Sequence, residues 1–398
     1  MYKGKTITIL CASFPPETGA GPGRIYLLAQ LLQQQGFTVH VIAAMPNYPQ
    51  GKIFQAYRGK RIVQEQIDGI NVCRIWLYPT NSSSKIKRAF SIGSFALSLK
   101  LHLPALLRSQ QPDLLIVSSP PFILGTFGCS IAERNGVRIL LNISDIWPAS
   151  AQYLGFIREG WLLNYLRKQE KSMYAKASGF SVQSEEIARH ILQIRPSADI
   201  FIYRNLQHTS AYAQETRPAG KRKIVYAGLL GIAQGLGTII RQIDFGGAGT
   251  ELHIYGDGVE QGIIRQEAAC RTDIFYHGSI PAHEVPEMLS RYHIMLVPLI
   301  TGIEGAVPSK IFNAVANGLP LIYMGQGESA DIVRAHKLGY TCDPGDFDGL
   351  YARLKEMLAL NDAEYRQLRN NCRDAAKGIF NKEIQDLNFL KFLHSFFS

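Results

Sequence analysis

Along the chain, short runs of β-branched and aliphatic residues alternate with longer stretches whose apolar positions recur at helical spacing. The short runs occupy residues 6–12, 38–43, 114–118, 139–143, 223–227, 252–255, 294–298 and 321–323. Apolar runs of this length between helical patterns predict an α/β fold with mainly parallel sheets. The alternation lapses over the polar stretch 207–222, where Pro218 and Gly220 sit among Thr, Gln and Lys, and then restarts. The pattern therefore predicts two doubly wound, Rossmann-like domains, 1–206 and 207–380. A last segment, 381–398, carries a wide apolar face of Leu387, Phe389, Leu390, Phe392, Leu393, Phe396 and Phe397. Ligands of doubly wound sheets lie beyond the carboxyl ends of the strands, so two such domains facing a central cleft would carry their chemistry in strand-end loops.

Three of these loops stand out. Residues 13–24 follow the first run, include Gly19, Gly21 and Gly23, and lead into a helix predicted from about Ile25. Glycines at a helix amino terminus suit an anion; a tight turn punctuated by Gly and Pro explains them equally well. In the second domain, Gly228 to Gly235 and Gly256-Asp257-Gly258 each follow a strand, so the backbone there must approach something closely. The third loop, 301–310, ends in Gly305-Ala306-Val307-Pro308-Ser309-Lys310 before a helix predicted over 311–317. With Ser309 at the N-cap, the free amides of the first turn and the Lys310 charge would make a diphosphate cradle; the alternative is a capped helix with a surface lysine.

Composition narrows the setting. The chain has 398 residues, 46% hydrophobic and 19% charged, which excludes a disordered or fibrous protein. Its formal charge of +10 is uneven: residues 1–205 carry 23 Lys and Arg against 11 Asp and Glu, while the remainder carries 19 against 21. A cationic first half favours an anionic partner, either nucleic acid or a membrane face. Basic residues Lys85, Lys87 and Arg88 precede Phe90, Phe95, Leu97, Leu99, Leu101 and Leu103, and a second basic amphipathic stretch runs 161–168. Lys100 and His102 interrupt the first stretch, so an interfacial helix on anionic lipid is expected rather than a span, with solvated core helices as the bland alternative. No recognition module for nucleic acid is visible, and none is expected to bind.

Six scattered cysteines and ten unpaired histidines suggest neither a disulfide framework nor a metal site. A reduced, cytoplasmic setting fits, and the six-residue apolar run before Ser13 is too short for a signal-peptide core. Asp346-Phe347-Asp348 has the form of a metal-binding DxD motif, but it opens a predicted helix after Pro344-Gly345, so helix capping is the better explanation.

Phe14-Pro15-Pro16-Glu17, Pro46-Asn47-Tyr48-Pro49, Ser118-Ser119-Pro120-Pro121, Asp145-Ile146-Trp147-Pro148, Gln183-Ser184-Glu185, Gly256-Asp257-Gly258 and Pro308-Ser309-Lys310 occur in that order. Together they resemble the retaining family 4 glycosyltransferases of GT-B fold, in particular the branch that builds bacterial surface polysaccharides. The resemblance implies a metal-independent hexosyltransferase with a nucleotide sugar, UDP-linked by family habit, as co-substrate and no further cofactor. Its acceptor would be a lipid-diphosphate-linked saccharide on the inner face of the cytoplasmic membrane. Gly21 and Gly228 would line the donor, Gly256, Asp257, Gly258, Ser279 and Ile280 would hold the base, and Pro308, Ser309 and Lys310 the diphosphate. Gly305, Ala306 and Val307 would lie beside the sugar. Lys310 would then be catalytic, with Asp145 orienting the acceptor hydroxyl and Glu17 a second acceptor or sugar contact. The last helix of such proteins commonly crosses back to the first domain.

Departures from the family pattern accompany the resemblance. Two glutamates eight residues apart are usual; Gly305 and Asn313 stand at those positions, and Asn313 can still hydrogen-bond a ribose hydroxyl. Leu229 and Gln234 replace a usual Arg and Lys, and Ser118 or Ser144 a frequent histidine. A catalytically weak nucleotide-sugar sensor or scaffold, or a hydrolysing nucleotide-sugar epimerase, are the alternatives.

Overall fold

A computed structural model describes residues 2, 4–48, 50–82, 84–153, 155, 157–214, 220–302 and 305–397. Pro49, Pro218, Ile303 and Glu304, which fall in the loops and linker discussed above, lie outside the described residues. The chain divides into two compact units: residues 1–204 with 388–398, and residues 205–387.

The first unit runs β1 (Thr6–Leu10), α1 (Ala20–Gln34), β2 (Thr38–Ala44), β3 (Ile62–Ile67), β4 (Ile70–Ile75), α2 (Lys85–Gln110), β5 (Leu114–Ser119), α3 (Phe122–Arg134), β6 (Ile139–Ile143), α4 (Ala149–Tyr153), α5 (Trp161–Lys176), β7 (Gly179–Val182), α6 (Glu185–Ile194) and β8 (Ile200–Ile202). Its eight strands lie in the order β3-β4-β2-β1-β5-β6-β7-β8, parallel except for the β3–β4 hairpin. The strand order reverses between β1 and β5, where a doubly wound sheet opens its binding crevice.

Alternate residues of these strands feed two cores. Leu10, Leu115, Val117, Leu141 and Ile143 pack under α2, α3, α5 and α6, while Ile9, Leu114, Ile116 and Leu140 pack under α1. The second core is completed by Phe389, Leu390, Leu393 and Phe396, with Phe389 against Tyr203 at 4.5 Å between ring centroids.

The second unit runs β9 (Ile224–Ala227), α7 (Leu236–Gln242), β10 (Leu252–Tyr255), α8 (Gln261–Cys270), β11 (Ile274–Gly278), α9 (Val285–Ser290), β12 (Ile294–Pro298), α10 (Ser309–Ala316), β13 (Leu321–Met324), α11 (Glu328–Ala335), β14 (Gly339–Cys342), α12 (Phe347–Ala359) and α13 (Asp362–Lys377). Helix α14 (Lys382–His394) begins in this unit, and from Asn388 onward it belongs to the first. Six parallel strands lie in the order β11-β10-β9-β12-β13-β14, with the reversal between β9 and β12.

Several local expectations change. Helix α1 starts at Ala20 rather than near Ile25, which puts Gly21, Pro22 and Gly23 inside its first turns. The hairpin of β3 and β4 was not legible as strands, because the exposed outer strand alternates Ile62, Gln64 and Gln66 with half-buried partners and has no continuous apolar run. Helix α2 passes the length and hydropathy test for a bilayer span over Ile86–Gln110, contrary to the expectation from Lys100 and His102. In this structure it is a sheet-covering helix, with Phe95, Leu99, Leu103 and Leu107 in the core and Ile86, Phe90, Leu97 and Leu101 exposed.

Candidate functional site

The switch point of the second sheet gathers three loops. Gly228 follows β9, Gly256 follows β10, and residues 299–308 join β12 to α10. Gly228 N donates to Tyr255 O at 2.9 Å, Gly256 N to Gly278 O at 2.8 Å, and Leu230 N to Asp257 O at 2.9 Å. A Cβ on Gly256 would lie 1.8 Å from Gly228 O, and one on Gly258 2.4 Å from Leu230 O. The close approach that the glycines permit is therefore of one loop to the other, with both backbones at positive φ. Asp257 turns its carboxylate onto the Gly258 amide at 2.7 Å.

Lys310 enters this junction from the first turn of α10. A Cβ on Gly228 would fall 2.4 Å from Lys310 Cε, so the glycine makes room for the lysine. The Nζ sits 5.2 Å from the centroid of the Tyr226 ring, on the face where a cation is attracted. No carboxylate faces it among the described residues, and burial pushes its pKa down to about 8. Water still reaches part of the side chain. An incoming dianion would reverse that shift, since opposite charge favours the protonated amine.

The N-cap of α10 is Pro308, with no side-chain cap, and Ser309 is the first helical residue. The expected serine cap is thus corrected: Pro308 presets the extended backbone there and leaves the first-turn amides open to a ligand. The side chain of Val307 belongs to the core around Ile311 and Phe312, which leaves its backbone to face the loop. Ala306 O is taken by Ser329 Oγ at 3.1 Å, which ties the loop to the start of α11 beside the buried Glu328. Asn313 is half-buried, and its side-chain amide has no hydrogen-bond partner among the described residues. Ser279 and Ile280 follow β11, with Ile280 packed on the core. Tyr226 and Ser329 carried no sequence signal beyond their places in a strand and a helix.

In the first unit, the strand-end motifs are built into one another. Glu17 is 3% exposed, and its carboxylate accepts the amides of Asn47 and Tyr48, each at 2.9 Å, and of Phe14 at 3.3 Å. Burial raises its pKa against the pull of those amides and of Arg74. Arg74, fully buried and paired with Glu65 at 2.8 Å, donates to the carbonyls of Phe14 and Pro15. Both Glu17 oxygens accept backbone amides, so this residue clamps two loops together.

Asp145, just past β6, accepts from Ser150 Oγ and from the Ile146 amide, and burial raises its pKa despite both. Trp147 stacks on Phe122 at 5.9 Å. Ser184 caps α6, accepting the Ile187 amide at 3.1 Å, and Asp346 caps α12 by accepting Gly349 N at 2.8 Å. Gly21 lies on the exposed side of α1 with nothing within 4 Å of a Cβ placed there. Among the described residues no group of three or more His, Cys, Asp and Glu is placed to hold a metal. His253 and His277 instead stack with Phe275 and Tyr255.

The chain thus has two doubly wound units, each with a strand-order reversal, and at that of the second a lysine that no carboxylate faces among the described residues. A glycosyl transferase 4-like domain model matches residues 20–202, and a model of the group 1 glycosyl transferases matches residues 221–360. The chain belongs to the glycosyltransferases, and its fold is GT-B.

It is 28% identical over 243 residues to a putative colanic acid biosynthesis glycosyl transferase of Escherichia coli, WcaI, covering 54% of this chain and 57% of that protein. The match thus spans little more than half of that relative. A GDP-mannose-dependent alpha-mannosyltransferase of Mycobacterium tuberculosis is 23% identical over 358 residues, covering 87% and 85%. The fold is that of sucrose-phosphate synthase from Thermosynechococcus elongatus, at a TM-score of 0.73, 16% identity and 99% coverage of both chains. It is also that of Anabaena HepE, solved with UDP and glucose, at a TM-score of 0.67, 11% identity and coverage of 98% and 100%.

Proposed function

We propose that this protein is a retaining glycosyltransferase that moves a sugar from a nucleoside diphosphate, UDP by preference, to a lipid-linked saccharide during surface polysaccharide synthesis. The observation that carries the reading is Lys310: a shielded ammonium that no carboxylate faces among the described residues, beside the uncapped first turn of α10, where a diphosphate would bring negative charge. The Pro308, Ser309 and Lys310 turn would take the diphosphate, Asn313 a ribose hydroxyl, and the loop at Gly256 to Gly258 with Ser279 and Ile280 the base. Retention by a front-face displacement needs the leaving phosphate to be stabilised while it takes the acceptor proton, and a preorganised cation with helix amides supplies that. Asp145 would orient the acceptor hydroxyl through the oxygen that Ser150 leaves available. The UDP-bound HepE supports the choice of base; the GDP-mannose-dependent relative keeps GDP in the test.

The protein would work on the inner face of the cytoplasmic membrane, docked through its first unit. Helices α2, α3 and α5 cover one face of that sheet, and the outer sides of α2 and α5 expose Ile86, Phe90, Leu97, Trp161, Leu162 and Tyr165 among Lys87, Arg88, Lys100 and Lys168. Large apolar groups set among basic ones suit an anionic lipid surface.

A second reading, a nucleotide-sugar sensor without turnover, is favoured by Leu229, Gln234 and Asn313, which leave Lys310 as the main cation for the diphosphate. Calorimetric titration with UDP, GDP and ADP, followed by nucleotide release from UDP-sugars with and without a lipid-diphosphate saccharide, separates the two. Acceptor-dependent UDP release supports the transferase; binding with no release across a broad panel overturns it in favour of the sensor.

A further inference from the structure

The first unit also holds a cation with no counter-charge among the described residues. Arg24, in α1, donates from Nη2 to Ser144 Oγ at 3.2 Å, and that hydroxyl lies 3.4 Å from Ser119 O. Its Nε is sealed from solvent and bonds nothing. No carboxylate acts on it among the described residues, where the Tyr203 hydroxyl is the one ionisable neighbour, and burial brings its pKa down to about 10. The guanidinium is nonetheless charged at neutral pH, and a shielded charge without a partner is costly to keep.

Ser118 is a second, independent observation. Strand alternation sends Leu114, Ile116 and Ser118 of β5 and Leu140 and Asn142 of β6 to the sheet face under α1, and Ser144 continues that side past the end of β6. Ser118 Oγ is buried on that face and has no hydrogen-bond partner. Most buried hydroxyls and guanidinium N–H groups are satisfied, so an orphan on α1, whose guanidinium reaches Ser144 just past β6, and another at the carboxyl end of the adjacent β5 point to an acceptor of hydrogen bonds beside the strand-order reversal. The donors come from a helix and from the ends of two strands, and a phosphoryl group brings both the negative charge that the guanidinium lacks and several oxygens to accept from them.

We propose that Arg24, Ser118 and Ser144 bind a phosphoryl group in the first unit, in addition to the donor diphosphate taken by the second. Its assignment to the acceptor rests on the transferase reading; the binding itself does not. Ser144 would turn its hydroxyl proton from Ser119 O to the anion, and Arg24 would add its idle Nε–H.

The test is calorimetric titration of the full chain with inorganic phosphate, geranyl diphosphate and UDP, in wild type, Arg24→Gln, Ser118→Ala and Lys310→Gln. Arg24→Gln is expected to weaken phosphate and geranyl diphosphate at least about tenfold and Ser118→Ala about threefold, with UDP held within about twofold. Lys310→Gln should do the reverse. Loss confined to geranyl diphosphate would identify the group as a lipid's; loss for phosphate as well would show that the free anion suffices. Phosphate and geranyl diphosphate binding unchanged in both first-unit variants would overturn the site, and so would an Arg24→Gln loss confined to UDP. Should Arg24→Gln not fold, Ser118→Ala carries the same comparison, since it removes a hydroxyl that bonds nothing. Arg24-dependent phosphate binding without sugar transfer on any acceptor would keep the site and remove the transferase reading.

Discussion

Replacing Lys310 with methionine separates a lysine kept for a ligand from one kept for the fold. In the free protein the ammonium costs stability, because its pKa falls from 10.5 to about 8. At 1.36 kcal/mol per tenfold in proton affinity that step is worth about 3 kcal/mol, an upper figure because part of the side chain still meets water. The sign follows from proton binding. Between pH 8 and 10.5 the unfolded chain holds more protons on this residue than the folded one, so wild-type stability rises with pH across that window. Below pH 8 the full cost is present, and above 10.5 it is gone.

Lys310→Met should therefore unfold at a higher urea concentration than wild type at pH 7, with the difference fading toward pH 10.5. The same variant should bind UDP about tenfold to a hundredfold more weakly, the loss expected for one charge-assisted hydrogen bond. Urea titrations at pH 7, 9 and 10.5 and calorimetry with UDP measure both. A variant that is less stable than wild type at pH 7 and binds UDP normally would refute the reasoning, because the lysine would then be part of the packing.

Gly256→Ala drives a methyl into Gly228 O, 1.8 Å away at positive φ, and should cost about 2–4 kcal/mol in urea unfolding while weakening UDP through the displaced loop. Asn313→Ala should weaken UDP by about 1 kcal/mol and leave stability within about 0.5 kcal/mol, as befits an amide with no partner in the free protein; equal affinity would place the ribose elsewhere. Phe389→Ala removes a buried ring that packs on Phe201 and Tyr203, and should cost about 3–5 kcal/mol by thermal or urea unfolding without changing UDP affinity.

The elements that the sequence made legible are those whose pattern is local. The central strands β1, β5, β6, β9, β10, β12 and β13 are continuous apolar runs and stand within a residue or two of the expected positions. Of the strands missed, β3 alternates and β8 and β14 are short and only half-buried, while β4 and β7, inside the first sheet, break their apolar runs with Asn71, Arg74 and Ser181. In the site, Pro308-Ser309-Lys310 was legible as a helix start, since proline before a polar pair punctuates a helix. That proline rather than serine takes the N-cap was not, because the two differ by one residue of backbone conformation. Glu17 and Arg24 show the deeper limit. Both stand in one glycine-rich loop-and-helix sequence, and only the packing of residues 30 to 120 positions away makes the first a clamp and the second an unpaired charge.

Lys310 and Arg24 obey one rule. Several other shielded charges are answered: Arg74 by Glu65 and two carbonyls, Lys382 by Asp386, Arg271 by Asp273, and Arg369 by the carbonyls of Gly318 and Ala213. Lys310 and Arg24 face no carboxylate among the described residues, and each stands at the carboxyl end of its own sheet beside the strand-order reversal. A packing role would favour neutralising them, since methionine or leucine fills the same space without the desolvation cost. Their persistence at these two places is accounted for if the counter-charge arrives with the substrates, so that stability lost in the free protein returns as affinity for phosphorylated ligands.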